Sequence, residues 1–266
     1  MKIGIIYTSY QMANYVDMSL NPWVSARSNR VDGHTYLIVA VSLPFEGFPL
    51  ESSVDDTESF LRNRLYRGDI DHLICQKTPL KETEARGLAL KWLVGQNVDV
   101  LWMCDGDERF TQSDISGAAR FVDDNPWVQW FRLPYRNLVF DEKHFLAEPF
   151  TPPRIHRVYA PGGYKVCNFW DDNNVLYNRP WMVDSPVIQD IAFSSMPIPT
   201  SSANPLHYTW LNNERSRKNI EYQTKSRKWL CSYRWDEEAN QLRFNEPYFA
   251  ARGLPLPEVI SLDSSP

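Results

Sequence analysis

The sequence predicts an α/β fold: a mostly parallel sheet flanked by helices, followed by an irregular C-terminal region. Three observations predict it. Over the first 135 residues, short apolar and β-branched runs alternate with segments of helical periodicity, a rhythm that builds a parallel sheet with right-handed crossovers. The run Val98 to Cys104 is apolar at Val98, Val100, Leu101, Trp102, Met103 and Cys104, as a strand buried on both faces is. It empties into Asp105-Gly106-Asp107-Glu108, which sets carboxylates at the carboxyl end of a buried strand, where open α/β sheets bind their ligands.

The elements follow in order. Lys2 to Tyr7 reads as the first strand and ends in Thr8-Ser9-Tyr10, a polar loop suited to hydrogen-bonding a ligand. A helix over Met12 to Leu20 is stopped by Asn21-Pro22. Tyr36 to Ser42 forms a second buried strand, Asp55 to Tyr66 a helix with Phe60, Leu61, Arg64 and Leu65 at helical spacing, and Ile70 to Cys75 a third strand. In Lys81 to Val94, Ala85, Leu88, Ala89, Trp92 and Leu93 recur at i, i+3, i+4, i+7 and i+8, an amphipathic helix feeding the strand before Asp105.

After the acidic loop, Thr111-Gln112-Ser113-Asp114 opens a helix over Ile115 to Asp124, and Trp127 to Leu133 returns to strand. Beyond Tyr135 the rhythm breaks at Pro149, Pro152, Pro153, Gly162-Gly163 and Asp171-Asp172-Asn173-Asn174. Loops of that length inside a domain are usually functional, and they are expected to form the acceptor side of a cleft. Asn212 to Trp229, rich in Arg and Lys, reads as a helix, and the stretch with Pro247, Pro255 and Pro257 as an extended arm with a frayed end.

Composition narrows the function classes. With 266 residues, 43% hydrophobic and 14% aromatic, the chain has ample core and aromatic surface to spare for stacking. A net charge of −5 argues against a nucleic-acid binder driven by counterion release. Cys75, Cys104, Cys167 and Cys231 show no CxxC spacing, so neither a zinc site nor a disulfide frame is indicated and a reducing, cytoplasmic setting is expected. There is no signal-peptide pattern at the N-terminus. No apolar run approaches the roughly 20 residues of a membrane-spanning helix.

Asp105, Asp107 and Glu108 repel one another unless a cation or a basic partner sits among them. Hard divalent ions prefer carboxylate oxygens, and Mg²⁺ is commonly held by one or two carboxylates with substrate phosphates completing its shell. Gly106 permits a tight turn that lets Asp105 and Asp107 reach one ligand from different sides. An ordinary acidic turn after a strand is the competing account. An EF-hand would need an oxygen ligand at Arg109, Gly at Phe110 and Glu at Ser116, and an aspartyl phosphatase of the DxDx(T/V) type would need Thr or Val at Arg109, so both are excluded.

The ordered set of motifs resembles the inverting family 2 glycosyltransferases of GT-A (Rossmann-like) fold, from the first strand to the His207 region. Tyr7-Thr8-Ser9-Tyr10 stands where that family has its first nucleotide-contacting loop. Glu82-Thr83-Glu84-Ala85-Arg86-Gly87-Leu88-Ala89 is similar to its Ala-Arg-Asn helix, and Asp105-Gly106-Asp107 to its DXD motif. His207-Tyr208-Thr209-Trp210, Arg217-Lys218 and Tyr222 look like the His-aromatic, Lys, Tyr pattern of lipopolysaccharide-type members.

The resemblance implies a metal-dependent transfer of a hexose from a nucleotide-diphosphate sugar, a UDP-sugar for preference, to a glycan or other hydroxyl acceptor, with Mn²⁺ or Mg²⁺ as cofactor. It implies that Thr8, Ser9 and Tyr10 contact the nucleotide and that Asp107 ligates the metal. Asp105 would hold the ribose, or the metal through water, and His207 would be a third ligand or a phosphate contact. Arg86 would pin Asp105 or the pyrophosphate, and Lys218 with Arg217 would cap the diphosphate. The general base that inversion needs is sought at Asp171 and Asp172, beside Phe169-Trp170, with Glu148 in reserve. On this reading residues 1–135 form the nucleotide-sugar-binding half, 136–240 an acceptor-side region with its helix in the same domain, and 241–266 the arm.

The chain departs from the family at three points, one being that the usual Glu-Asp base motif is not evident. Ser42 stands where members carry a base-binding Asp, which leaves the base to Tyr10, Asp69 or Asp71, and Gly87 replaces the Asn of the Ala-Arg-Asn pattern. A catalytically silent GT-A-like module that binds sugar or nucleotide is the alternative function. A nucleotidyltransferase is disfavoured because no Gly-rich loop follows the first strand.

Overall fold

The computed structural model describes residues 1–44, 55–80, 82–160, 164–165, 169–170, 176–177, 195–211, 213–226 and 232–264. The chain opens with β1 (Lys2–Thr8), α1 (Ala13–Asn29), β2 (Thr35–Ser42), α2 (Thr57–Tyr66), β3 (His72–Cys75), α3 (Glu82–Gly95) and β4 (Val100–Asp105). Next come β5 (Glu108–Arg109), α4 (Gln112–Asp124), β6 (Trp130–Arg132), β7 (Arg136–Phe140), β8 (His144–Leu146) and β9 (Pro153–Arg157). Short strands β10 (Tyr159–Ala160), β11 (Tyr164–Lys165), β12 (Phe169–Trp170) and β13 (Leu176–Tyr177) precede β14 (Ser195–Pro197) and β15 (Leu206–Leu211). The chain closes with α5 (Glu214–Ser226), β16 (Tyr233–Asp236), β17 (Gln241–Phe244), α6 (Glu246–Ala250) and β18 (Val259–Ser261).

The chain divides into two compact units. The first holds the described residues of Met1–Glu46, Ser53–Pro134 and Thr151–Pro205. The second holds the described residues of Tyr135–Phe150 and Leu206–Pro266.

The first unit is a mostly parallel sheet of order β14-β6-β9-β4-β1-β2-β3, in which β9 runs against its neighbours β4 and β6. The chain moves outward from β1 to β2 and β3, then returns to lay β4 on the other side of β1. The strand order therefore reverses between β1 and β4, which creates a crevice at their carboxyl ends. Successive residues of a strand face opposite sides. On one side, Ile6, Val39, Val41, Leu101 and Met103 pack against Ala85, Ala89 and Leu93 of α3. On the other, Trp23 of α1 meets Trp102 edge-on at 4.7 Å and Phe110 at 5.0 Å.

Two expectations are corrected here. The first helix does not stop at Pro22 but runs to Asn29 with the proline inside it. Trp23 and Ala26, both fully buried, lie beyond the proline and hold that part of the helix against the sheet. The terminal stretch is not simply an extended arm. Tyr233–Asp236 and Gln241–Phe244 pair as an antiparallel hairpin, and Val259–Ser261 pairs antiparallel with β8, Ile260 opposite Phe145.

In the second unit, strands run in the order β18-β8-β7-β15. Its core gathers Val139, Tyr233 and Leu242 with Trp210, Ile220, Trp235, Phe244 and Val259. The fully described part of the irregular region thus buys its order through strand pairing. Among the described residues no helix is long and apolar enough to cross a membrane.

Candidate functional site

Parallel pairing of β1 with β4 sets Thr8 opposite Asp105, at the ends of the two strands where the sheet order reverses. Alternation puts Asp105 on the same side as Leu101 and Met103, the side that α3 covers. Arg86, 4% exposed on the buried face of α3, donates from Nη2 to Asp105 Oδ1 at 2.5 Å and from Nε to Thr8 Oγ1 at 3.4 Å. From β9, on the other flank of β4, Arg154 donates through Nη2 to Asp105 Oδ2 at 2.8 Å and to Glu108 Oε1 at 2.6 Å. The Asp105 backbone N–H donates to Glu108 Oε2 at 3.1 Å and closes the acidic turn.

Gly106 lies in the turn expected of it, and the need for glycine there is one of space. Its φ is not in the left-handed region; space is what it provides. Its N–H donates to the Thr8 carbonyl at 2.7 Å. A Cβ there would sit 2.4 Å from Met12 Sδ and 2.9 Å from Ser9 Oγ. The Thr8-Ser9 end of β1 and the acidic loop are therefore in direct contact.

Burial decides the electrostatics. Glu108 is fully buried and Asp107 is 5% exposed. Burial, with Asp105 and Asp107 adding to it, pushes the Glu108 carboxyl up to about 7, against the opposing pull of Arg154. Burial, and after it Asp55, also holds the Tyr10 phenol above its ordinary value.

The first unit thus brings together Thr8, Ser9, Arg86, Asp105 and Asp107. The basic partner that three clustered carboxylates require is present as two arginines. Both Asp105 oxygens accept from guanidinium, and no group of three His, Cys, Asp or Glu side chains able to hold a metal occurs among the described residues. An ion here would have to draw on Asp107, 5% exposed, with a ligand's phosphates completing its shell, rather than on an all-protein cage.

The second unit places the remaining residues. His207 is held at both ring nitrogens, Nδ1 with Asn137 Oδ1 at 2.6 Å and Nε2 with Thr209 Oγ1 at 2.5 Å, and its ring stacks on Phe150 at 5.8 Å. A ring so engaged reaches a metal or a phosphate only by giving up one of these bonds. Glu148 is exposed and lines a hollow of about 630 Å³ with Phe150, Asn137, Phe249, Leu256 and Glu258. Lys218 lies on α5, whose Arg217 pairs with Glu237 at 3.3 Å. Asp171 and Asp172 lie outside the described residues.

Asp69 and Asp71, the other candidates for the base, are each paired with an arginine. Asp69 pairs with Arg64 at 3.0 Å. Asp71 accepts from Arg27 and from the Ile38 N–H, each at 2.8 Å. Reading the sequence missed Arg154 altogether. The signal that pointed to it was the charge imbalance of the acidic loop, which demands a basic partner without naming one.

No protein-family model matches the chain, and a comparison with curated proteins finds no match. Solved structures give remote likenesses. TarS of S. aureus matches at 13% identity over 84% of this chain and 38% of its own, with a TM-score of 0.46. The mannosyltransferase PcManGT from Pyrobaculum calidifontis, solved with GDP-Man and Mn²⁺, matches at 12% identity over 85% of this chain and 64% of its own, with a TM-score of 0.45. A cytidylyltransferase from Leptospira borgpetersenii matches at 9% identity over 87% of this chain and 89% of its own, with a TM-score of 0.38. The chain therefore spans less than two thirds of the length of TarS and of PcManGT.

Proposed function

We propose that the chain is a metal-dependent inverting glycosyltransferase of the family 2, lipopolysaccharide-like type, moving a hexose from a UDP-sugar or related nucleotide-diphosphate sugar to a glycan or other hydroxyl acceptor. One observation carries the reading. Thr8 and Asp105 meet in register at the point where the sheet order reverses, and an acidic loop with two arginine partners is packed there against the loop after β1. Crevices at such points bind nucleotides in open α/β sheets.

Thr8, Ser9 and Tyr10 would contact the nucleotide, and Asp105, locked by Arg86 and Arg154, would hold the ribose at a fixed position. Asp107 would hold the cation, which when bound supplies Lewis-acid neutralisation of the departing diphosphate. Lys218 would add positive charge toward the diphosphate. Asp171 or Asp172, with Glu148 in reserve, would take the acceptor proton as it attacks.

The test is a thermal-shift panel of nucleoside diphosphates and nucleotide sugars with and without Mn²⁺. At a ligand concentration a hundredfold above Kd, linkage gives about 2.7 kcal/mol and a rise of roughly 5 °C for a chain of this size. Asp107→Ala should abolish that rise. No rise with any member of the panel would sink the reading. Release of UDP from a UDP-sugar separates an enzyme from a silent binding module, which would show the thermal rise alone.

A further inference from the structure

We infer that Arg154 is a positioning residue that keeps a divalent ion out of the acidic loop until a donor diphosphate is present. The inference deepens the proposed function and rests on it for the identity of the donor. Its basis is the occupancy of carboxylate oxygens. Arg154 reaches in from β9, antiparallel to β4, with its side chain 9% exposed, and a single nitrogen bridges Asp105 and Glu108. Arg86 takes the other Asp105 oxygen, and the Asp105 N–H takes the other Glu108 oxygen. All four oxygens of these two carboxylates thus accept from protein donors.

A divalent ion arriving alone would have to displace charge-assisted hydrogen bonds, which are among the stronger ones. It would also come within a few ångströms of two buried guanidiniums, where like-charge repulsion is large. A diphosphate reverses both effects. Its oxygens supply the ligands that a hard ion takes in place of carboxylates, and its charge is attracted by the same two arginines. The arginines therefore act as the loop's resident counter-cations, and Arg154, which holds two carboxylates at once, is the one that ties the loop shut.

The test is Mn²⁺ binding to the full chain at pH 8 without nucleotide, followed by titration calorimetry or by the resonance of free Mn²⁺. Wild type should bind Mn²⁺ alone weakly. Arg154→Met removes one positive charge at contact distance and one donor from each of two carboxylates, so Mn²⁺ alone should bind at least about tenfold more tightly. A residue with a merely structural role would lose binding on substitution, not gain it. Micromolar binding of Mn²⁺ alone by wild type would overturn the inference whether or not the variant folds. So would a folded Arg154→Met that binds Mn²⁺ no more tightly than wild type. Failure of UDP to strengthen Mn²⁺ binding by wild type would instead count against the donor-site reading, and the comparison without nucleotide would still decide the role of Arg154.

Discussion

Removal of the Asp105 carboxylate would take from Arg86 and Arg154, both almost fully buried, the anion they share, while Arg154 keeps Glu108. Breaking a buried pair by deleting one partner costs about 3–5 kcal/mol, because the remaining charge is desolvated without compensation. Asp105→Ala should therefore lose stability on that scale in urea unfolding, and Asp105→Asn, which keeps one acceptor, should lose less. Equal losses would show that charge rather than hydrogen bonding dominates. This residue also shows what could be read in advance. Asp105 and Asp107 announced themselves because they follow a buried strand without a break, and Arg86 because its helix feeds that strand directly. Arg154 stands 49 positions from Asp105 on a strand inserted antiparallel beside β4, so no local spacing links the two. The setting of His207 was illegible for the same reason, since Asn137, which bonds one of its nitrogens, is 70 positions away.

Helix α1 shows how burial overrides a local stop signal. A proline inside a helix removes a hydrogen bond and crowds the preceding turn, at about 3 kcal/mol. Trp23, fully buried beside Pro22, removes about 150–250 Å² from water, worth roughly 4–6 kcal/mol at 25 cal/mol per Å². The apolar gain exceeds the proline penalty, and the helix continues through it. Pro22→Ala should accordingly raise stability by about 1 kcal/mol or more, the relief being reduced by the greater freedom of alanine in the unfolded chain. A fall in melting temperature would mean that Pro22 itself is needed to seat Trp23. Elements whose local and tertiary preferences agree were legible from the sequence. Helix α3 carries its apolar face at helical spacing, and α4 opens with a capping box in which Thr111 and Asp114 bond reciprocally. The terminal hairpin of β16 and β17 was not legible, because its strands are short and their apolar residues complete a core with Val139 of β7.

At the scale of the whole molecule, two buried groups set opposing pH dependences. Glu108 titrates near 7 in the folded chain against 4.5 when unfolded. The folded state therefore binds more protons between those values, and this group lowers stability as pH rises from about 4.5 to 7. His156, whose imidazole is fully buried in the central sheet, is held down to about 3 against 6.5, first by burial and then by Arg154. Here the unfolded state binds more protons, so stability rises with pH between about 3 and 6.5 and is lost on acidification through that window. From pH 4.5 to 6.5 the two contributions offset each other, each with a limiting slope of about 1.4 kcal/mol per pH unit. Subtracting wild-type from variant stability cancels the other ionisable groups. The difference for Glu108→Gln should climb with pH from about 4.5 to 7, and that for His156→Gln should fall from about pH 3 to 6.5, both read from urea unfolding at a series of pH values. The test discriminates because the signs differ. A flat Glu108→Gln difference across its window would show the carboxylate already ionised throughout, with its two donors, Arg154 and the Asp105 N–H, outweighing desolvation.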